Sequence, residues 1–177
     1  MSFQPLIIKN SDTLAAVALG SNLAYGGKTP GELVVAAAER LQSLSLSPIR
    51  VSRLYTTPAV DMEEGAPDFC NAVALIEPPA SMTAEQLLER LLTVEGEFGR
   101  HRPKRDSTAL YVPRTLDLDL IYCRGEVCNT PFLQLPHPRA MQRLFVLQPL
   151  AELWPSLLLS AQGISVSEQA RKLQGQG

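Results

Sequence analysis

Asp117 and Asp119, two residues apart in the otherwise apolar run Val112-Pro113-Arg114-Thr115-Leu116-Asp117-Leu118-Asp119-Leu120-Ile121-Tyr122, are the side chains best placed to do chemistry. Aspartate is disfavoured in strands, yet the run alternates as a strand does. Leu116, Leu118, Leu120 and Tyr122 fall on one face, and Thr115, Asp117, Asp119 and Ile121 on the other. Residues two apart on a strand stand roughly 6.5–7 Å from each other. Carboxylates that close repel unless a proton or a cation lies between them. A pair of Mg²⁺ ions about 3.5–4 Å apart would satisfy both, and would suit phosphoryl chemistry. An edge strand whose polar face meets water explains the same pair equally well, so its surroundings must decide.

Those surroundings are suggestive. The basic run Arg100-His101-Arg102-Pro103-Lys104-Arg105 leads into the acidic strand, and cations beside a carboxylate–metal site are what a polyphosphate needs, although such runs are usually solvated loops. His137 lies between Pro136 and Pro138, which hold its backbone extended so that the ring can be aimed. Arg139 and Arg143 are four apart and should share one face of a short helix. Asn71 is the one polar side chain in the run 69–76 and must hydrogen-bond either a neighbouring loop or a ligand. Glu95, taken alone, is an ordinary helix position.

The elements that position these residues can be read from pattern and punctuation. Residues 14–19 form a short apolar strand stopped by Gly20-Ser21-Asn22. Thr29-Pro30-Gly31-Glu32 opens a helix to about Leu44 that buries Leu33, Val34, Ala37, Leu41 and Leu44. Residues 49–57 read as one strand, 58–67 as a loop, and 69–76 as a strand with Phe69, Asn71, Val73 and Leu75 on one face and Cys70, Ala72, Ala74 and Ile76 on the other. Thr83-Ala84-Glu85-Gln86 caps a helix to Phe98, stopped by Gly99. Arg124-Gly125 marks a hairpin turn into a short strand at 126–128, and a further strand follows at 133–135. Residues 143–153 are helical in part, interrupted at Pro149, and Ser165-Val166-Ser167-Glu168 caps a last helix. Strands alternating with capped helices and hairpin returns predict an α+β fold, an antiparallel sheet with helices packed on it.

The 177 residues suit one domain, with frayed ends at 1–13 and 170–177. A net charge of −2 gives no general pull toward nucleic acid. Three cysteines, Cys70, Cys123 and Cys128, lack Cys-x-x-Cys spacing and suit a reducing cytoplasm better than a disulfide or zinc framework. The first thirteen residues lack the pattern of a signal peptide, and no apolar run is long enough to span a membrane.

Taken in order, Gly20-Ser21-Asn22, Pro67-Asp68-Phe69-Cys70-Asn71, Phe98-Gly99-Arg100, Pro113-Arg114-Thr115-Leu116-Asp117-Leu118-Asp119 and Leu135-Pro136-His137-Pro138-Arg139 resemble the 6-hydroxymethyl-7,8-dihydropterin pyrophosphokinases of folate biosynthesis. The resemblance spans roughly residues 15–153. It implies a ferredoxin-like α+β fold and transfer of the terminal pyrophosphoryl group of ATP to the pterin hydroxymethyl oxygen, with release of AMP. By the same resemblance Asp117 and Asp119 bind two Mg²⁺ ions and, with Arg100 and Arg114, form the catalytic group. Glu95, Arg100, Arg102, Tyr111, Arg114, Leu120, His137 and Arg143 serve ATP. Thr57, Pro58, Val60, Phe69, Asn71 and Phe145 form the pterin pocket, Phe69 and Phe145 sandwiching the flat ring. The implied partners are these two small molecules, with no nucleic acid and no membrane, and the chain is expected to be a cytoplasmic monomer. The loop after Tyr55 and the one around 100–112 are expected to close over the bound pair.

The sequence departs from the family where Tyr111-Val112 replaces Trp-Gly or Trp-Ala, where the interval from Arg100 to Arg114 is longer, and at Gln142, often acidic in the family. A non-catalytic paralogue that binds pterin or nucleotide therefore stands as the alternative. An RNA-binding ferredoxin-like module fits the acidic pair poorly, and an Asp-x-Asp sugar transferase leaves the His-Pro-Arg segment and the two phenylalanines unexplained.

Overall fold

The structure, a computed structural model, describes residues 4–8, 10–58, 67–99 and 115–176. Strand β1, Ala15–Ser21, is buried along nearly its whole length, and its small side chains allow close cover on both faces. Helix α1, Pro30–Leu41, begins where Thr29 Oγ1 accepts the Glu32 N–H at 3.3 Å and a Glu32 carboxylate oxygen accepts the Thr29 N–H at 2.8 Å. A 3₁₀ turn at Gln42–Leu44 finishes it. Strands β2, Arg50–Val51, and β3, Tyr55–Thr57, both pair with β4, Phe69–Ile76. Helix α2, Ala84–Glu97, has the reciprocal Thr83–Gln86 cap, and Gly99 follows it at φ 81°. Strand β5, Asp117–Cys123, completes the main sheet.

The sheet order is β2-β4-β1-β5, with β3 also on β4, and every pairing is antiparallel. The chain thus makes two interlocked strand–helix–strand crossovers, each skipping one strand. This is the ferredoxin-like α+β arrangement expected from the sequence. Both crossover helices cover one face: Val34, Ala37 and Leu41 of α1 and Leu87, Leu91 and Val94 of α2 pack on Val17, Leu19, Ala72, Ala74 and Leu118. The opposite face is covered by α3, Leu144–Leu153, α4, Val166–Gly175, and Trp154, packed on Ala16, Val73, Leu75, Ile121 and Tyr122. Among the described residues no helix is long and apolar enough to cross a membrane.

Several expectations change on folding. Tyr122 does not share a face with Leu116, Leu118 and Leu120. The β1–β5 pairing runs Ala16 to Tyr122 and then Val17 to Leu120, so Ile121 is an extra residue, and this bulge turns Tyr122 to the α3 side while Cys123 returns to the other. There Tyr122 meets Trp154 edge to face, ring centres 5.3 Å apart. The strand expected over 49–57 is broken at 52–54. Ser52 donates its N–H to Val73 O, but its hydroxyl, not its carbonyl, accepts the return bond from the Val73 N–H at 3.0 Å. The turn at Arg124-Gly125 is present, but no hairpin follows: β6, Cys128–Asn129, pairs instead with β7, Gln134–Leu135. Arg139 and Arg143 do not share a helix; they flank a 3₁₀ turn at Ala140–Gln142. Nor does Pro149 interrupt α3. It lies inside the helix, where the buried side formed by Val146, Leu147, Leu150 and Leu153 offsets the missing backbone bond.

Described residues within the two terminal stretches are hydrogen-bonded to the body of the fold or helical. The Leu6 N–H donates to Leu153 O, the Trp154 indole N–H to Ile8 O at 2.7 Å, and the Leu158 N–H to the Asn10 side chain, while α4 extends to Gly175 behind its own Ser165–Glu168 cap.

Leu91 is fully buried beneath the sheet, and Trp154 is the single tryptophan. Leu91→Ala should lower the unfolding free energy by about 2–5 kcal/mol, read as a drop in urea midpoint by Trp154 fluorescence; an unchanged midpoint would refute the core assignment.

Candidate active site

The pairing register places the candidate residues in rows. Tyr55 lies opposite Asn71, Asn71 opposite Gly20, and Gly20 opposite Asp117. The adjacent row on the same face runs Val73, Ala18, Asp119. Directly opposed residues share a face, so Asn71, Asp117 and Asp119 all look toward the α3 layer. Strands stand about 4.8 Å apart, which puts Asn71 and Asp117 roughly 10 Å from each other.

Gly20 keeps that interval open. A Cβ built on it would stand 2.9 Å from Asn71 Oδ1. The Asn71 amide is in turn aimed by its Nδ2, which donates to Thr57 Oγ1 at 2.7 Å. The row therefore has a hydrogen-bonding end, a bare middle and an acidic end. Thr57 and Phe69 are half-buried beside Asn71, and Pro58 is exposed.

Strand β5 is an edge strand, and a cleft of about 770 Å³ lies along it, lined by Glu95, Asp117, Asp119, His137 and Arg143 among others. Glu95 is only 3% exposed, and its Oε1 accepts the Leu118 N–H at 2.8 Å, so the carboxylate caps a backbone donor left over at the sheet edge. The His137 N–H donates to Ile121 O at 2.9 Å, closing the edge one turn further on. Leu120 also borders the cleft, although its side chain is packed in the core beneath α1 and α2.

The imidazole of His137 accepts the Arg139 N–H through Nδ1 at 3.2 Å, which leaves Nε2 to carry the proton of the neutral ring. Burial pushes its pKa below 6.5; the nearby Arg143 and Arg139 push the same way, and Asp117 opposes them. Arg143 links two parts of the site. Its Nη1 stands 3.9 Å from Asp119 Oδ2, and its guanidinium lies 5.6 Å from the centre of the Phe145 ring, which is 40% exposed.

The sequence candidates Asp117, Asp119, Glu95, Leu120, His137 and Arg143 thus converge on one cleft, and Thr57, Asn71 and Phe69 gather beside its acidic row. Arg100, Arg102, Tyr111, Arg114 and Val60, with the two loops expected to close, lie outside the described residues. Sequence reading misses the spacer role of Gly20 and the apolar cleft wall of Leu88, Leu92 and Phe132. The run Gly20-Ser21-Asn22, a glycine ahead of two polar residues at the end of an apolar strand, was the available signal for the first.

Comparison with known proteins bears on the family and the fold. A family model described as 7,8-dihydro-6-hydroxymethylpterin-pyrophosphokinase (HPPK) matches residues 16–155. The chain belongs to this family. It is 37% identical over 142 residues to the 2-amino-4-hydroxy-6-hydroxymethyldihydropteridine pyrophosphokinase of Bacillus subtilis, covering 80% of this chain and 78% of that one. It is 38% identical over 146 residues to the Pseudomonas aeruginosa protein of the same name, covering 81% and 82%. Among solved structures, a Plasmodium falciparum HPPK-DHPS crystallised with pterin and p-hydroxybenzoate superposes with a TM-score of 0.65 at 12% identity, over 92% of this chain but 44% of that one. That likeness shows the fold.

Two outcomes follow from the geometry. Gly20→Ala should drive the Asn71 amide off Thr57 at a cost of about 1–3 kcal/mol, seen as a shift of the Asn71 side-chain amide signals by NMR; unmoved signals would contradict the spacer role. With two histidines in the chain, the His137 ring should titrate below 6.5. The unfolded chain binds that proton more tightly, so the stability contributed by the neutral ring is complete above pH 6.5 and is lost as pH falls through the lower folded value. A midpoint at or above 6.5 would show the assigned environment to be wrong.

Proposed function

We propose that this chain, as a single pterin pyrophosphokinase domain over residues 1–177, transfers the terminal pyrophosphoryl group of ATP to the hydroxymethyl oxygen of 6-hydroxymethyl-7,8-dihydropterin in folate biosynthesis, releasing AMP. The observation that carries this reading is the row Asn71–Gly20–Asp117. It sets a polar reader for a flat heterocycle roughly 10 Å from an acidic pair, across a floor with no side chain in the way.

In this reading Asn71 and Thr57 hydrogen-bond the pterin edge, with Pro58 and Val60 bordering the pocket and Phe69 and Phe145 on its faces. The hydroxymethyl group then lies toward Asp117. ATP occupies the cleft along β5, its polyphosphate met by Arg143 and by Arg100, Arg102 and Arg114. The neutral His137 donates from Nε2 rather than adding charge, Glu95 and Leu120 form the back wall, and Tyr111 completes the nucleotide side. The pterin oxygen forms a bond to the β-phosphorus as the bridge to the α-phosphate breaks. AMP leaves with the bridging oxygen, and the hydroxyl proton is released. A neutral alcohol is a poor nucleophile and the triphosphate is highly anionic, so the residues contribute alignment and charge neutralisation.

The donor set fits Mg²⁺. Asp117 and Asp119 are hard oxygen donors on a partly open face, and among the described residues no cluster of three or more His, Cys, Asp or Glu surrounds them. Two carboxylates with the remaining positions left to phosphate and water is the usual magnesium arrangement. Bound there, a pair of ions would neutralise the β- and γ-phosphates and hold them in line. We place this activity in the cytoplasm, with the chain acting as a monomer on small molecules and without nucleic acid or membrane; the net charge of −2 supports the absence of a nucleic-acid partner and the three free cysteines suit a reducing compartment.

Incubation with ATP, Mg²⁺ and the hydroxymethyl dihydropterin should release AMP; ADP, or no nucleotide product, would refute the reading. Asp117→Asn and Asp119→Asn should each lower kcat at least about 100-fold, the scale set by loss of one transition-state contact, with the circular dichroism unchanged. Full turnover in both variants would remove the metal assignment.

A further inference from the structure

Helix α3 is tied at both ends, and the far tie lies outside the site described so far. Glu152, in its last turn, accepts the Tyr55 O–H at 2.6 Å and the Arg53 N–H at 3.2 Å, the backbone donor freed by the strand break at 52–54. The Arg53 guanidinium closes the cluster, its Nε 3.4 Å from Glu152 Oε2 and its Nη2 donating to the Tyr55 hydroxyl at 3.3 Å. Burial pushes the Tyr55 pKa up, and the Glu152 carboxylate pushes the same way, so the phenol stays a donor. At the near end Arg143, immediately before α3, approaches Asp119 on β5.

α3 lies chiefly against β4 and meets β3 beyond it, so the Tyr55–Glu152 bond fastens it to the strand at that edge of the sheet. Between its ends Val146, Leu147 and Leu150 share one buried apolar cluster with Val73, Leu75 and Ile121, which holds the helix on the sheet, while the directional contacts come from its polar ties. The polar ties set its seat. Phe145 and Glu152 are seven apart and so lie on one stripe of the helix, and Tyr55 is directly opposite Asn71.

We propose that Tyr55 and Glu152 are positioning residues for the pterin pocket: their hydrogen bond fixes where α3 sits, and through it where Phe145 stands over the row Asn71–Gly20–Asp117. This rests on reading that row as the floor shared by pterin and phosphate. Neither side chain touches a reacting atom.

The test is steady-state kinetics of AMP release with each substrate varied in turn, for Tyr55→Phe, Glu152→Gln, Glu152→Ala and Tyr55→Phe/Glu152→Ala. Tyr55→Phe keeps the ring and removes one hydrogen bond to a charged group, so it should raise the pterin KM about tenfold, leave the ATP KM within about twofold, and keep the far-ultraviolet circular dichroism. Glu152→Gln keeps an acceptor and should recover most of the loss seen in Glu152→Ala. The double variant should be no worse than Glu152→Ala, because both changes break one bond. An unchanged pterin KM in Tyr55→Phe, both KM values rising together, or additive losses in the double variant would each overturn the inference while the functional reading stands. A wild-type protein that releases no AMP would overturn the functional reading itself, and the assignment built on it.

Discussion

Two like charges on neighbouring same-face positions of one strand impose a constraint on everything around them. Asp117 and Asp119 cannot sit in a strand covered on both sides, because water, a cation or an arginine must reach them. The fold answers by placing β5 at the edge of the sheet, with its inward residues Leu118 and Leu120, and Leu116 just before it, in the core and its acidic face left partly open. An edge strand brings its own cost, since its outward backbone groups need partners. Glu95 takes the Leu118 N–H and the His137 N–H takes the Ile121 carbonyl, so the groups that finish the edge are also the groups that line the cleft. Structural closure and the cleft wall share the same residues.

The two faces of the sheet divide the work. On the α1 and α2 side the packing is continuous and apolar, and its rim at Leu88, Leu92 and Glu95 borders the cleft along β5. On the α3 and α4 side the core occupies the half of the sheet toward Ala16, Leu75 and Tyr122, and gives way to Gly20, Asn71 and Asp117 at the other end of the same strands. The bulge at Ile121 marks this change along β5. It adds a second large side chain to the α3 side, so that Ile121 and Tyr122 both anchor the layer from which Arg143 and Phe145 extend. Rigid packing at one end of the strands thus supports an open polar site at the other, as precise placement of catalytic groups requires.

Much of this was legible in the chain alone, because some signals are local. The capping boxes at Thr29, Thr83 and Ser165 need only residues three apart, and each forms as read. Period-two alternation gave both faces of β4 correctly, since that strand is regular from Phe69 to Ile76. The Asp-x-Asp pair and the histidine between prolines could be nominated from residue type and spacing. The family resemblance joined them into one site, and the cleft along β5 brings them together.

Other features exist only through partners distant in sequence. Nothing near Tyr122 announces the bulge, which depends on how Ala16 and Val17 on another strand take up the extra residue. The break at 52–54 is completed by Ser52 with Val73 and by Glu152, a residue 99 positions from Arg53. The spacer role of Gly20 appears only when Asn71 and Asp117 flank it in the register. The sequence by itself determined the helix starts, the inward face of each regular strand and the residue types available for phosphate chemistry, because these follow from side-chain period and from hydrogen bonds within a few residues. Only the tertiary structure decided which strand became an edge, where α3 rests and how far the polar reader stands from the acidic pair, because those distances are set by packing and pairing between segments far apart in the chain.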